Sequence, residues 1–334
     1  MRKSVRMGGV IAICLFSLAS CGAPMYLSSY APEESSLNVM KITDETSTSV
    51  AGCGTTSYWS SKPLGFCSEA SIAWGTGRFL DISPDGKELA YLTWSNNQWN
   101  IMVRKTSAQS AATQRTFRNV SDFSWGSDDK LYFGDQPTAS VSQISTTDAH
   151  IGTLMRQITN NNYDFNPILS ANGKLLYFTR SDNSGSYIWS YELETGSLTA
   201  CCPGCNPYPI GDGTESFLCV RNTNKASELW LVNYKLGQET LILSDTKRGF
   251  TNPVVSPDGE WILCQGNSLS SISKKQNLDI FVVKMDGTNF TQLTYHPATD
   301  CCPVWSKDGK YIYFISNRAN KDSKFNIWRM NFDL

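Results

Sequence analysis

The chain has 334 residues, of which 40% are apolar and 12% aromatic, so most of it is globular rather than disordered. Its 29 lysines and arginines against 30 aspartates and glutamates argue against a dedicated nucleic-acid binder, which needs a net basic face. Polar turn residues are plentiful and no long stretch reads as an amphipathic helix, which favours an all-β fold.

Arg2, Lys3 and Arg6 open the chain, and Gly8–Ser20 follows as an apolar stretch. That stretch is shorter than the about 20 residues that a membrane-spanning helix needs. Residues 1–20 therefore read as a secretory signal peptide. Leu18-Ala19-Ser20-Cys21 resembles the bacterial lipobox. The resemblance implies cleavage before Cys21 and acylation of that cysteine, with palmitate among the acyl chains expected. Two or more chains hold a protein stably on a membrane, where one binds marginally. Gly22, where an aspartate would signal retention, points to the outer rather than the inner membrane. Residues 21–50 are rich in Ser, Thr, Ala and Pro and read as a flexible tether, leaving 51–334 for the folded domain. Within the tether only Leu37–Thr43 has the character of a strand.

From residue 83 onward the chain repeats. Ser83-Pro84-Asp85-Gly86-Lys87 leads into Leu89-Ala90-Tyr91-Leu92, and Ser170-Ala171-Asn172-Gly173-Lys174 into Leu175-Leu176-Tyr177-Phe178. Equivalent turns precede Phe217, Trp261 and Tyr311, and a degenerate copy, Ser127-Asp128-Asp129-Lys130, precedes Leu131. Anchored on Gly86, Asp129, Gly173, Gly213, Gly259 and Gly309, the copies lie 43, 44, 40, 46 and 50 residues apart. Six residues before the anchor, four copies carry a proline: Pro167, Pro207, Pro253 and Pro303. A second apolar run follows five of the anchors, then a glycine turn and a short strand ending in threonine, as in Gln292-Leu293-Thr294. Asp-Gly and Asn-Gly supply the positive φ of tight hairpins. Strands of Tyr, Phe, Trp and Ile suit a half-buried pleated surface. Four strands in about 40–45 residues is the spacing of one propeller blade. The predicted fold is a six-bladed β-propeller of four-stranded antiparallel blades.

The repeat resembles that of the TolB-like propellers, and Pro303-Val304-Trp305-Ser306-Lys307-Asp308-Gly309-Lys310 carries the likeness most fully. The resemblance covers about residues 70–334. It departs from the family in two respects: no α/β domain fits between Cys21 and Ser71, and TolB itself is not lipidated. The last copy ends without room for a fourth strand, so an N-terminal strand should close the last blade and remove its open edge. Counting back from Gly86 assigns that strand to Cys67–Ile72, with Leu37–Thr43 as the alternative.

Eleven cysteines are present, and in an exported chain disulfides are the default. Cys53 and Cys67 are the candidate pair. Cys201-Cys202-Pro203-Gly204-Cys205 has the look of a metal knuckle but lacks a second knuckle of matching spacing, so no metal or other cofactor is expected. With two histidines, His150 and His296, and no Gly-x-Ser-x-Gly elbow, no catalytic residues are assigned. Asp85, Asp212, Asp258 and Asp308 recur because hairpin turns need them. In a propeller the second-to-third-strand hairpins and the blade-to-blade loops share one face. Here that face carries Trp94, Tyr163, Asp164, Arg180, Arg221, Arg248, His296, Asp300 and Arg318, together with the long Gly266–Asn277 insertion. Aromatic and arginine residues suit protein recognition. Equally, Arg180, Arg221 and Arg318 fit a recurrent arginine that follows this strand for structural reasons. The expected function is a membrane-anchored, non-enzymatic envelope protein that scaffolds other envelope proteins. A saccharide-binding or polysaccharide-degrading propeller is the alternative.

Overall fold

The computed structural model describes residues 37–43, 77–107, 110–138, 141–152, 154–182, 185–213, 215–223, 225–246, 248–269, 276–318 and 324–333. Signal peptide 1–20, lipidation site Cys21 and candidate pair Cys53–Cys67 lie outside these residues. The described residues form twenty-four strands in six four-stranded antiparallel sheets. Blade 1 is β2 (Leu80–Ile82), β3 (Glu88–Ser95), β4 (Gln98–Lys105) and β5 (Thr113–Gln114). Blade 2 is β6 (Val120–Trp125), β7 (Lys130–Thr138), β8 (Val141–Asp148) and β9 (Arg156–Gln157). Blade 3 runs through β10 (Asp164–Leu169), β11 (Leu175–Asp182), β12 (Gly185–Glu192) and β13 (Leu198–Pro203). Blade 4 has β14 (Cys205–Ile210), β15 (Ser216–Asn222), β16 (Ser227–Asn233) and β17 (Gln238–Asp245). Blade 5 has β18 (Phe250–Val255), β19 (Trp261–Leu269), β20 (Gln276–Lys284) and β21 (Thr291–Gln292). Blade 6 is β22 (Asp300–Trp305), β23 (Tyr311–Ser316), β24 (Asn326–Asn331) and, out of sequence, β1 (Met40–Lys41). The first strand of each blade packs on the first strand of the next, and β2 touches both β6 and β22, so the ring is closed. The molecule is a six-bladed β-propeller, and the degenerate copy at Asp129 is a full blade.

The turn chemistry recurs from blade to blade. Ser83 Oγ donates to Asp85 Oδ1 at 2.7 Å, the same oxygen accepts the Lys87 N–H at 3.0 Å, and Ser83 Oγ accepts the Glu88 N–H at 2.9 Å. Ser170 with Asn172 and Ser306 with Asp308 repeat all three bonds. Gly86 closes this turn at φ 74°, a conformation that costs a residue with a Cβ. These bonds hold Asp85 down to about 2. The carboxylates recur because they tie turns.

The prolines have an equally local cause. Each of Pro167, Pro207, Pro253 and Pro303 follows a residue of positive φ: Asn166 at 51°, Asn206 at 51°, Asn252 at 53° and Cys302 at 52°. At these pairs the register between first and second strands shifts, as between Phe165 and Ile168. A bulge leaves a position without a ladder bond, which a residue lacking an N–H fills at no loss. Asparagine tolerates the left-handed region better than most residues. Neighbouring sheets bury their faces against one another: Phe165 of blade 3 packs with Leu218 and Val220 of blade 4, and Tyr177 stacks near Phe217 at 5.2 Å. Burying each such side chain contributes about 1.5–3 kcal/mol, and only a neighbouring blade can cover it.

Ring closure departs from the counted expectation. The closing strand is β1, not Cys67–Ile72: Met40 pairs with Arg329 and Lys41 with Trp328. Part of the segment read as tether thus belongs to the propeller. The counting failed because strands within a blade are spaced by short hairpins, whereas a strand added from elsewhere needs only reach. The correct signal is present in the sequence. In blades 1, 2 and 5 the threonine ending the outer strand accepts the N–H of an isoleucine in the third strand: Thr116 from Ile101 at 2.8 Å, Thr159 from Ile144 at 2.9 Å and Thr294 from Ile280 at 2.9 Å. Thr43 accepts the Ile327 N–H at 2.9 Å in the same way, and its hydroxyl donates to Asn326 Oδ1 at 2.8 Å. Lys41-Ile42-Thr43 is a fourth copy of the pattern seen in Gln292-Leu293-Thr294.

Thr43 is buried, so Thr43→Val, which keeps the shape but leaves the Ile327 N–H without an acceptor, should lower stability by about 1–3 kcal/mol. Removing residues 37–43 should lower the melting temperature far more than removing 22–35, and calorimetry of the two truncations checks this. Equal melting temperatures would show that β1 does not hold the ring.

Candidate binding surfaces

Most of the predicted recognition residues lie on the expected face but turn their polar groups inward. Arg180 grips Asp164 through two bonds, Nε to Oδ1 at 2.6 Å and Nη2 to Oδ2 at 2.8 Å, and lies over the Trp189 ring at 4.8 Å. Asp300 and Arg318, both fully buried, form the corresponding pair in blade 6, with Arg318 over Phe314 at 5.2 Å. Asp164 and Asp300 each begin the first strand of their blade, so these pairs tie the central hairpin to the inner strand. In blade 4 Gly204, three residues before Pro207, stands at that position, and Arg221 instead reaches outward to Glu239 at 2.8 and 2.6 Å, above Trp230. Arg248 pairs with Asp245 at 2.6 Å over the Phe281 ring. His296 is buried, its Nδ1 accepting the Ala298 N–H at 3.0 Å. Tyr163 is half-buried and gives its carbonyl to the Ser181 N–H. Trp94 stands apart. It is 45% exposed and meets Trp99 edge to face at 5.3 Å across the β3–β4 hairpin.

Beside this hairpin lies a groove of about 500 Å³ between blades 1 and 2, lined by Asn97, Gln98, Phe117, Arg118, Asn119 and Gln136. Phe117 is 64% exposed, and the Trp99 N–H donates to Asn119 Oδ1 at 3.0 Å, fixing hairpin and blade-to-blade loop together. Phe117 escaped the sequence reading because its loop carries no repeat signature.

The opposite end of the channel holds a second cavity of about 500 Å³, ringed by first-to-second-strand turns. Arg78, Tyr208, Trp125 and Trp305 form its charged and aromatic wall. Deeper in the channel the bulge residues line up as Asp122, Asn166, Asn206, Asn252 and Cys302. Asn166 donates its backbone N–H to Asp122 Oδ2 at 3.1 Å, Asn206 its Nδ2 to Asn252 Oδ1 at 3.2 Å, and Asn252 its Nδ2 to the Gly77 carbonyl at 3.0 Å. Burial pushes the Asp122 carboxyl up to about 6, against the partial relief of the Asn166 N–H and the Arg78 charge. A central channel follows from a propeller, but sequence reasoning missed its lining, although Asn166, Asn206, Asn252 and Cys302 each directly precede a repeat proline.

Cys205 is disulfide-bonded, whereas the other six described cysteines are free, so its partner lies outside the described residues. Cys202 and Cys219 are buried neighbours beside Arg221; a hydrogen bond from Cys219 holds the Cys202 thiol below its usual value. Among the described residues no three His, Cys, Asp or Glu side chains converge on a metal site.

No protein-family model matches the chain. Among solved structures it resembles a protein assigned as TolB in Agrobacterium tumefaciens, at 17% identity and a TM-score of 0.56, covering 77% of this chain and 90% of that one. The fold is that of a TolB-like propeller. A similar fold occurs in an oligogalacturonate lyase from Vibrio parahaemolyticus, at 9% identity and a TM-score of 0.52, over 89% of this chain and 97% of that one. By sequence, an uncharacterized peptidase of Bacillus subtilis, YuxL, is 27% identical over 176 residues. That match spans 42% of this chain and 26% of the relative.

Two substitutions separate the structural from the exposed groups. Arg318→Met leaves Asp300 charged and buried and should cost about 3–5 kcal/mol, whereas Trp94→Ala should leave the melting temperature within a degree or two. Asp122 keeps its proton in the folded chain up to about pH 6, while in the unfolded chain it ionises near 4. The folded state therefore binds the extra proton, and its stability falls as pH rises through that window. Asp122→Asn should raise the melting temperature at pH 7.5 and match the parent at pH 4; an equal offset at both pH values would refute the assignment.

Proposed function

We propose that this chain is a lipid-anchored protein of the bacterial cell envelope, placed on the outer membrane, whose propeller binds another envelope protein instead of catalysing a reaction. The anchor rests on the Leu18-Ala19-Ser20-Cys21 lipobox. The binding role rests on one observation above the others: Phe117 stands exposed in a groove whose hairpin-to-loop junction is hydrogen-bonded, and Trp94 stands exposed on that same hairpin. Large aromatic groups beside a polar rim are the usual anchors of protein recognition. The arginines of the same face serve the blades, so the recognition surface contracts to blades 1 and 2. The TolB-like fold supports an envelope role, and the likenesses to a lyase and a peptidase are likenesses of propeller architecture and of a partial sequence match. A saccharide on the same face is the competing reading.

Cys21→Ala should leave the chain unprocessed or release it from the membrane fraction; normal processing and retention would refute the anchor. Affinity purification from solubilised envelopes should yield one reproducible protein partner, lost in the Trp94→Ala, Phe117→Ala double variant at unchanged melting temperature. Capture of a polysaccharide with no protein partner would sink the scaffold reading.

A further inference from the structure

The cavity at the turn-lined end of the channel has an unbalanced set of polar groups. Its two carboxylates already accept hydrogen bonds. Asp81 Oδ1 takes the Ile82 N–H and Oδ2 the Trp125 N–H, both at 2.9 Å, which clips blade 1 to blade 2. Asp258 accepts from the Ser256 hydroxyl and the Glu260 N–H, and the hydroxyls of Ser127 and Ser306 donate to Ser170 O and Asp308. Two of its donors, on Arg78 and Tyr208, are not occupied by any described residue. The Arg78 guanidinium is 7% exposed, yet forms no hydrogen bond or ion pair with any described residue. It lies 5.8 Å from the centre of the Tyr208 ring and acts on Asp81 and Asp122 only through space. The Tyr208 hydroxyl likewise has no partner among the described residues, and the Trp125 indole N–H is buried without an acceptor.

A guanidinium drawn out of bulk water with no hydrogen-bond partner among the described residues loses part of its hydration without compensation, and what remains opens into the cavity. The Arg78 guanidinium is an unmet donor and the Tyr208 hydroxyl can donate beside it, so the complement is an acceptor, and a negative one at Arg78. A planar fork of N–H groups matches a carboxylate bidentately. The remaining wall is apolar and aromatic: Ile168, Val254, Val304 and the Trp305 ring, whose own N–H is bound to the Val254 carbonyl at 3.2 Å. The Lys307 side chain stands at the rim, against Gly86. A volume of about 500 Å³ lies within the range of small-ligand sites.

We propose that this cavity binds a carboxylate borne on an apolar or aromatic body, with Arg78 and the Tyr208 hydroxyl holding the carboxylate between Trp125 and Trp305. The site lies at the other end of the channel from Trp94 and Phe117 and does not depend on the scaffold reading. The carboxylate can belong to a small organic acid or to the C-terminus of a peptide. Both present the same head to the same donors.

Calorimetric titration of the purified full chain with N-acetylphenylalanine, with a tetrapeptide ending in phenylalanine, and with the amide of each, tests this. Each carboxylate should bind at least tenfold more tightly than its amide. A tighter peptide assigns the site to a protein terminus, and a tighter single residue to a free acid. Arg78→Gln should erase the preference for carboxylate over amide. Because that variant leaves Asp81 and Asp122 without their nearby cation and can lose stability, Ile168→Trp serves as the second variant. It fills the cavity from blade 3 without touching Arg78, and should abolish binding at an unchanged melting temperature. Equal binding of carboxylate and amide, no binding of either, inorganic phosphate binding as tightly as the carboxylates, or full binding by folded Ile168→Trp would each overturn the proposal.

Discussion

Closure of the ring by a strand of two residues is the contact on which everything else depends. Blades bury their faces only against both neighbours, so an open ring would leave one face of blade 1 and one of blade 6 in water. Met40 and Lys41 supply the missing outer ladder to β24, and Thr43 supplies the side-chain latch that blades 1, 2 and 5 also use. The latch matters because so short a strand offers few backbone bonds. A buried hydroxyl that both donates and accepts adds two more at the point where fraying would begin. The channel, its cavity and the groove between blades 1 and 2 exist only while that ring is shut.

Within the ring, arginine serves two distinct ends. Arg180 and Arg318 are held flat against aromatic rings and gripped by an aspartate at the head of the inner strand. Removing one partner of such a pair is far more damaging than the pair is stabilising, because a lone charge is then left in a low-dielectric interior. Arg78 occupies a comparable degree of burial without a bonded partner among the described residues. Its neighbours respond to it through space: the Asp81 and Asp122 carboxyls are raised by burial and only partly relieved by the cation.

The channel lining shows how a backbone device becomes a surface. In blades 3 to 6 a bulge before the proline turns one residue into the left-handed region, and Asn166, Asn206, Asn252 and Cys302 line up in the channel with Asp122 of blade 2. Asparagine is there first because it tolerates that conformation, and its amide then bonds across to the next blade. Cys302 adopts the same φ without that tolerance, held by the Gln265 side chain at its N–H. Local strain is thereby converted into a polar ring that no single blade could form.

The all-β class, the count of six blades, the hairpin turns and the face on which the central hairpins lie were all legible in the sequence, because each depends on residues a few positions apart. Asp85, Gly86 and Ser83 dictate a turn wherever they occur, and alternating aromatic strands dictate a half-buried sheet. Lys41-Ile42-Thr43 was legible in principle, since it repeats Gln292-Leu293-Thr294, but spacing alone pointed to a later segment. The tertiary structure decided the rest. Whether Arg180 meets solvent or Asp164, whether Arg78 finds an acceptor, and which of two openings is walled by aromatic rings are settled by residues from blades far apart in sequence. Pairing and desolvation act through distance in space, and a linear sequence records that distance only where a short turn fixes it.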